Sequence, residues 1–351
     1  MARSKGKPSL HLYTHVTKLS DVIGHPNGMC VVERRKEIWI ASSSGLHQLT
    51  SEGQYLSLAL AGVCLSVCHH PEDRVVLALA STSIERVGPN AASELILLED
   101  SEGKVLSRVP CDQAWGRTRR CCLSVPHGLI FMATKFDVDK KRKKTCWQSS
   151  AVWRIPWNEG STLSLTQTEA AVCIIWLQPG NMFFLKTVDS RRLLVVSDRI
   201  DDSVHSVELF SFDGDWIRVI TRGHAQLLKP PRGYIRWPKD VLASPFYPDE
   251  LLVVDETNQV FRYSCHPQNC GQYLGKLCHS MGIETAYALA EIDGSASEHY
   301  KKSLLMLGTA NVHFDGQLKR MVSQTVLNKV EPQPQRATPA GRTAKKPLDK
   351  L

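Results

Sequence analysis

A chain of 351 residues, 42% hydrophobic and 22% charged, has globular composition and enough apolar material for a core without disulfide or metal staples. Its apolar-leaning stretches, at 56–68 and 170–177, fall short of the roughly 20 residues a membrane-spanning helix needs. The formal charge of +8 lies mostly in the two ends, about +3 in each, which weakens any charge argument for the folded part.

In chain order, residues 1–19 read as a basic arm, with Arg3, Lys5 and Lys7, that runs into "LHLYTHVT" (10–17). That stretch alternates well enough to be a late strand that pairs with the last unit and closes a ring. Residues 20–328 repeat one unit. It begins with "GMCVV", then an apolar run, "EIWIAS" (37–42), then a hairpin at Gly53 in "HQLTSEGQYLSL". The second unit has "CLSVC", "RVVLALAS" (74–81) and Gly103, and the third "CCLSV", "LIFMAT" (129–134) and Gly160. The fourth has "FFLKTV", "RLLVVSD" (192–198) and Gly214, and the fifth "DVLAS", "ELLVVDE" (250–256) and Gly271. The sixth has "AYALAEI", "SLLMLGT" (303–309) and Gly316.

The turn glycines are 50, 57, 54, 57 and 45 residues apart. Short runs that are apolar on both faces are strands covered from both sides. Glycine between the last two strands of a unit supplies the positive φ of a tight hairpin. Six units of four antiparallel strands predict an all-β fold, a six-bladed β-propeller rather than a sandwich with regular turns. Residues 329–351, Pro-rich and polar, read as a disordered basic tail.

"HPNGMCVV", "EIWIAS" and "GLHQLTSEGQYL" in the first unit resemble the NHL-repeat family of propellers. So do "WPKDVLASPFYPDELLVVDETNQVFRYS" in the fifth and "LLVVSDRIDDSVHSVELFSFDGDWIRV" in the fourth. The other units depart from the pattern. The resemblance implies an NHL-like propeller of the kind found at the C-terminus of tripartite-motif ubiquitin ligases, where it binds RNA or protein. With no zinc module, B-box or coiled coil ahead of the repeats, it implies the binding half without ligase activity.

No P-loop, G-x-G-x-x-G, H-E-x-x-H or G-x-S-x-G occurs, so the expectation is a protein that is not an enzyme, with no catalytic residues. Eleven cysteines, an odd number, occur with no Asn-x-Ser/Thr sequon and no apolar signal run. Together these predict buried thiols in a cytoplasmic setting. Cys64 and Cys68 read as core thiols, and Cys265 and Cys270 flank a hairpin where they could face each other. The acidic stretch "SDRIDDS" (197–203) reads as a solvated loop rather than a calcium site. No metal and no cofactor are expected.

The bases gather in three loops assigned to one face of the ring. The first carries Arg117, Arg119 and Arg120, and the second Lys140, Lys141, Arg142, Lys143 and Lys144. The third carries Arg232, Arg236 and Lys239, interleaved with Tyr234 and Trp237. Cations attract phosphate, and an exposed aromatic stacks on an unpaired base. The bland reading is a solvated lysine loop and a tryptophan packed between blades.

The leading expectation is a non-enzymatic binding platform for single-stranded RNA or an acidic protein segment, with no membrane partner. One alternative is a protein-interaction scaffold or substrate adaptor linked to ubiquitination. Another is a metal-dependent hydrolase or lyase of the six-bladed propeller class.

Overall fold

A computed structural model describes residues 12–81, 92–137, 148–157, 165–177, 182, 184–199, 204–224, 234–247, 249–256, 259–279, 285–293, 302–315 and 320–332. Its strands form six four-stranded antiparallel sheets. The first contains β2 (Pro26–Val32), β3 (Glu37–Ser42), β4 (Gly45–Thr50) and β5 (Tyr55–Ala61). The second contains β6 (Val63–His70), β7 (Val75–Ser81), β8 (Ser93–Glu99) and β9 (Val105–Pro110). The third contains β10 (Arg117–Ser124), β11 (Leu129–Asp137), β12 (Gln148–Pro156) and β13 (Val172–Leu177). The fourth contains β14 (Leu185–Val188), β15 (Leu193–Arg199), β16 (Val204–Ser211) and β17 (Trp216–His224). The fifth contains β18 (Pro238–Ala243), β19 (Glu250–Asp255), β20 (Gln259–Ser264) and β21 (Tyr273–His279). The last sheet takes β22 (Thr285–Asp293), β23 (Lys302–Asp315) and β24 (Arg320–Pro332) from one end of the described chain and β1 (Leu12–Lys18) from the other.

Each sheet is a blade, with its first strand innermost. The inner strands meet in a closed circle: β2 with β6, β6 with β10, β10 with β14, β14 with β18, β18 with β22, and β22 with β2. An apolar cluster fills each gap between consecutive blades. Leu77, Leu79 and Leu97 face Met132 and Ile155 in one, and Val207 and Leu209 face Val253 and Phe261 in another. Ile38, Ile40 and Leu49 face Leu305 and Leu307 across the closing seam. The second strands β3 and β19 are buried along their whole length, which is why they read as unbroken apolar runs.

The hairpin glycines do two jobs. Gly53, Gly103, Gly214 and Gly271 all have φ between 72° and 94°, a conformation costly for a residue with a side chain. Each also rests against the outermost strand of the blade before it: Gly53 on Thr17, Gly103 on Ala59, Gly214 on Ile174 and Gly271 on Val219. A Cβ at Gly103 would stand 3.0 Å from that of Ala59. The repeat seen in the sequence is therefore a record of inter-blade contact as well as of turn geometry.

A second repeat lies between the first two strands of the blades. The residue just before the second strand is left-handed in Lys36 (φ 53°), Arg74 (φ 56°), Gly128 (φ 57°), Arg192 (φ 53°) and Asp249 (φ 60°). Only one of the five is glycine. Lys36→Gly should relieve the Cβ clash and raise stability by about 0.5–1 kcal/mol, measured as a shift in urea midpoint with an unchanged slope. A lowered midpoint would mean that the Lys36 side chain contributes more than its backbone costs.

Among the described residues no helix is long and apolar enough to cross a membrane.

Candidate active site on the propeller axis

Inner strands arranged in a circle leave space where their side chains converge. Here that space is a cavity of about 570 Å³ lined by all six of them. Small residues, Gly28 of β2 and Ala288 and Ala290 of β22, keep it open. Four consecutive inner strands bring charged residues to its wall: Arg120 from β10, Lys186 from β14, Asp240 and Lys239 from β18, and Glu291 from β22.

Lys186 Nζ lies 3.4 Å from Asp240 Oδ2, and the same carboxylate oxygen accepts the Leu289 backbone N–H at 2.8 Å. The Asp240 side chain is 5% exposed and that of Lys186 31%, the latter opening into the cavity. Burial alone would lower the Lys186 pKa, but Asp240 and the nearby sulfurs of Cys68 and Cys122 outweigh it and raise it. Lys186 is thus a cation at any physiological pH. Arg120 spans three blades, its Nη1 donating to the carbonyl oxygens of Asn27 and, at 2.7 Å, Leu65. Asn27 continues the belt by donating to the Cys64 carbonyl at 2.7 Å. Burial lowers the Arg120 pKa against the opposing pull of Asp240. Lys239 also lines the cavity, its pKa lowered by burial in spite of Glu256 and Asp255.

At the other end of the inner strands His69 Nε2 lies 3.2 Å from Asp100 Oδ2, with Arg34 3.6 Å from the second Asp100 oxygen. Burial lowers the His69 pKa, and Asp100 only partly offsets it. A ligand in the cavity therefore meets a cationic wall at Lys186 and an acid-bearing end at Asp100.

Several expected site residues stand elsewhere than supposed. Arg117, Arg119 and Arg120 are not in a loop between blades. They open β10, because the alternating "RTRRCC" continues the strand outward with a bulge between Thr118 and Arg120. Arg236 pairs with Glu256, Nε to Oε1 2.9 Å, and Tyr234 is half-buried. Trp237, left-handed at φ 53°, stacks on His205 with ring centroids 5.5 Å apart, and its backbone N–H donates to His205 Nε2 at 2.9 Å. Its ring already has a partner in the protein. Lys140, Lys141, Arg142, Lys143, Lys144 and Arg232 lie outside the described residues, as does most of the acidic stretch 197–203. Cys265 and Cys270 are free thiols, and burial pushes Cys265 up to about 11.

No protein-family profile matches the chain, and no curated protein matches it in sequence. Solved structures do match. The soluble aldose sugar dehydrogenase from Escherichia coli, in its apo form, superposes with a TM-score of 0.55 at 12% identity, over 92% of this chain and all of that one. A gluconolactonase from Xanthomonas campestris gives 0.55 at 12% identity, over 91% of this chain and 90% of its own. The WD40 β-propeller domain of Doa1 gives 0.51 at 10% identity, over 92% and 98%. The fold is a β-propeller. The likeness runs to propellers of several kinds and not specifically to the NHL domains of tripartite-motif ligases.

Two expectations are corrected here. The missing catalytic motif suggested a chain that is not an enzyme, yet its structural likenesses include a lactonase and sugar dehydrogenases. A catalytic constellation is recognised by geometry and not by sequence position, so the absence of a contiguous motif does not decide the question. The main reading as a non-enzymatic binding platform is likewise overturned by these likenesses to enzymes. Among the described residues expected to bind, Trp237 stacks on His205, Arg236 pairs with Glu256, and Arg120 lines the cavity.

Proposed function

We propose that this chain is an enzyme of the propeller class, a hydrolase or lyase acting on a small, oxygen-rich and anionic substrate in the axial cavity. The observation that carries this reading is the Lys186–Asp240 pair. A half-buried ammonium is held in place by a buried carboxylate and turned toward a cavity the size of a small-molecule site. Such a group costs stability to enclose, and active sites are where that cost is commonly met.

Lys186 Nζ donates to a substrate carboxylate or to an oxygen on which negative charge develops. Asp240 keeps Lys186 protonated and fixes its direction, so little reorganisation is needed when charge appears. Arg120 and the Asn27 belt hold β2, β6 and β10 at a set spacing around the substrate. The metal implied by the hydrolase-or-lyase alternative finds no donor set among the described residues. No three His, Cys, Asp or Glu side chains converge, and Asp240 is already engaged by Lys186 and Leu289. No step is therefore routed through one.

The test is a panel of sugar lactones and small anionic esters with the purified protein, beside Lys186→Met. Turnover that falls about 100-fold or more in the variant, mainly in kcat, is the expected result. Lys186→Arg should recover part of it. Turnover that Lys186→Met leaves unchanged would remove Lys186 from the chemistry. No turnover of any member would remove the hydrolase reading.

A further inference from the structure

Hydrolysis needs a base, and the Lys186–Asp240 pair does not contain one. Lys186 keeps its proton at physiological pH, and Asp240 already accepts from Lys186 and from the Leu289 N–H. The one histidine among the described residues lining the cavity is His69, near the end of β6. Imidazole is the side chain that titrates nearest neutrality.

Two blades hold His69 in place. Its Nε2 lies 3.2 Å from Asp100 Oδ2, and Arg34 Nη2 of the first blade lies 3.6 Å from the other Asp100 oxygen. The Asp100 side chain is 2% exposed, and its backbone N–H donates to the Arg74 carbonyl at 3.0 Å, which anchors the corner that carries it. A carboxylate only accepts, so Nε2 carries the hydrogen and Nδ1 keeps its lone pair. Among the described residues nothing is hydrogen-bonded to that Nδ1. It is also not enclosed, unlike Nδ1 of the buried His47. A ring nitrogen open to the cavity, with the opposite nitrogen held by a buried carboxylate, is the arrangement of an oriented base.

We propose that His69, oriented by Asp100, is the general base that activates water for attack on an ester or lactone carbonyl in the axial cavity.

This inference rests on the hydrolase reading above. Nδ1 takes a proton from water as the water oxygen bonds to the carbonyl carbon, and the carbonyl π pair moves onto its oxygen. As that pair returns, the bond to the leaving oxygen breaks, and the imidazolium gives its proton to the leaving alkoxide. Ester and water become acid and alcohol, a lactone becomes one hydroxy acid, and His69 ends neutral as it began. Asp100 holds the tautomer and stabilises the imidazolium without taking the proton.

The charged and titratable groups around the ring agree with this role. Burial lowers the His69 pKa, and His70 and Arg34 act in the same direction against Asp100. The ring is therefore neutral, and ready to accept, at pH 7. Turnover should fall only as pH drops below the ordinary histidine value of 6.5.

The experiment has two arms, both on the full chain. In the first, diethyl pyrocarbonate, which acylates neutral imidazole, is added to the native wild type and its sites are read by peptide mass spectrometry. His69 should be modified at least about 5-fold faster than the adjacent His70, whose Nδ1 accepts the Asp73 N–H and whose ring stacks on Trp157. In the second, the best substrate of the lactone and ester panel is given to two variants. His69→Gln should lower kcat about 100-fold or more with KM little changed, and should remove the acid limb of the pH profile. Asp100→Asn should also lower kcat about 100-fold or more, since its amide donates to Nε2 and moves the ring hydrogen to Nδ1. Turnover that His69→Gln leaves intact would overturn the inference and spare the hydrolase reading. No turnover of any substrate would remove both. A His69 labelled no faster than His70 would overturn the inference even if His69→Gln does not fold.

Discussion

Asp240→Leu should destabilise the protein by about 2–3 kcal/mol at neutral pH, measured by urea unfolding, although the new side chain is a good core residue. The carboxylate meets two donors, Lys186 Nζ and the Leu289 N–H, and leucine answers neither. Breaking a buried pair from one side costs about 3–5 kcal/mol because a charge is left without compensation. The figure here is lower because Lys186 remains 31% exposed to the cavity. The double variant Lys186→Met/Asp240→Leu should regain most of the loss, since it removes both charges.

The pH dependence separates this account from a packing defect. In the wild type the folded-state pKa of Lys186 is raised. Its contribution is fully present below the unfolded value of about 10.4 and is lost only as pH climbs through the higher folded one. With Asp240 gone, burial becomes the dominant influence and pushes the folded pKa down. The unfolded chain then binds more protons, so the variant's stability should rise with pH toward 10 while the wild type's does not. Parallel curves for the two proteins would contradict the assignment of Lys186 and Asp240 as a mutually dependent pair.

A second large effect is expected at Gly214. Valine there must adopt φ 94° and place its Cβ against the Ile174 carbonyl oxygen of the third blade. Strain and the backbone collision together should cost about 3–4 kcal/mol. Gly271 provides the control. Its φ is 81°, but the nearest atom to a built Cβ is the Val219 oxygen at 3.3 Å, so Gly271→Val should cost about 1–2 kcal/mol, mainly strain. Equal losses at the two sites, by urea midpoint, would show that the turn alone matters and that the close approach of the blades does not.

The repeat was legible because the forces that set it act locally. "EIWIAS" and "ELLVVDE" carry no polar face because β3 and β19 lie between two other strands within the blade and between two other blades. The hairpin glycines mark turns that other residues fill poorly. The axial site was hard to see for the opposite reason. Arg120 in "RTRRCC", Lys186 in "FFLKTV" and Asp240 in "KDVLAS" follow one another 66 and 54 residues apart. Each passes for a strand-end or loop residue on its own, and only ring closure brings them to one wall. The available signal was a charge recurring at the first, innermost strand of units three, four and five. The left-handed residues before the second strands were hidden too, since Lys36, Arg74 and Arg192 are residues that seldom adopt that conformation.

The seam between β1 and β24 has a consequence for how the chain is made. Thr14 is in register with Val330 and Thr17 with Leu327, so the first of the described strands waits for the last of them. Until β24 leaves the ribosome, the nascent chain is an open arc with an unpaired β1 at one end and exposed inter-blade apolar surface at both. That interval is when it is open to capture by chaperones, or by the β24 of a neighbouring copy. Closure converts the arc into one cooperative unit.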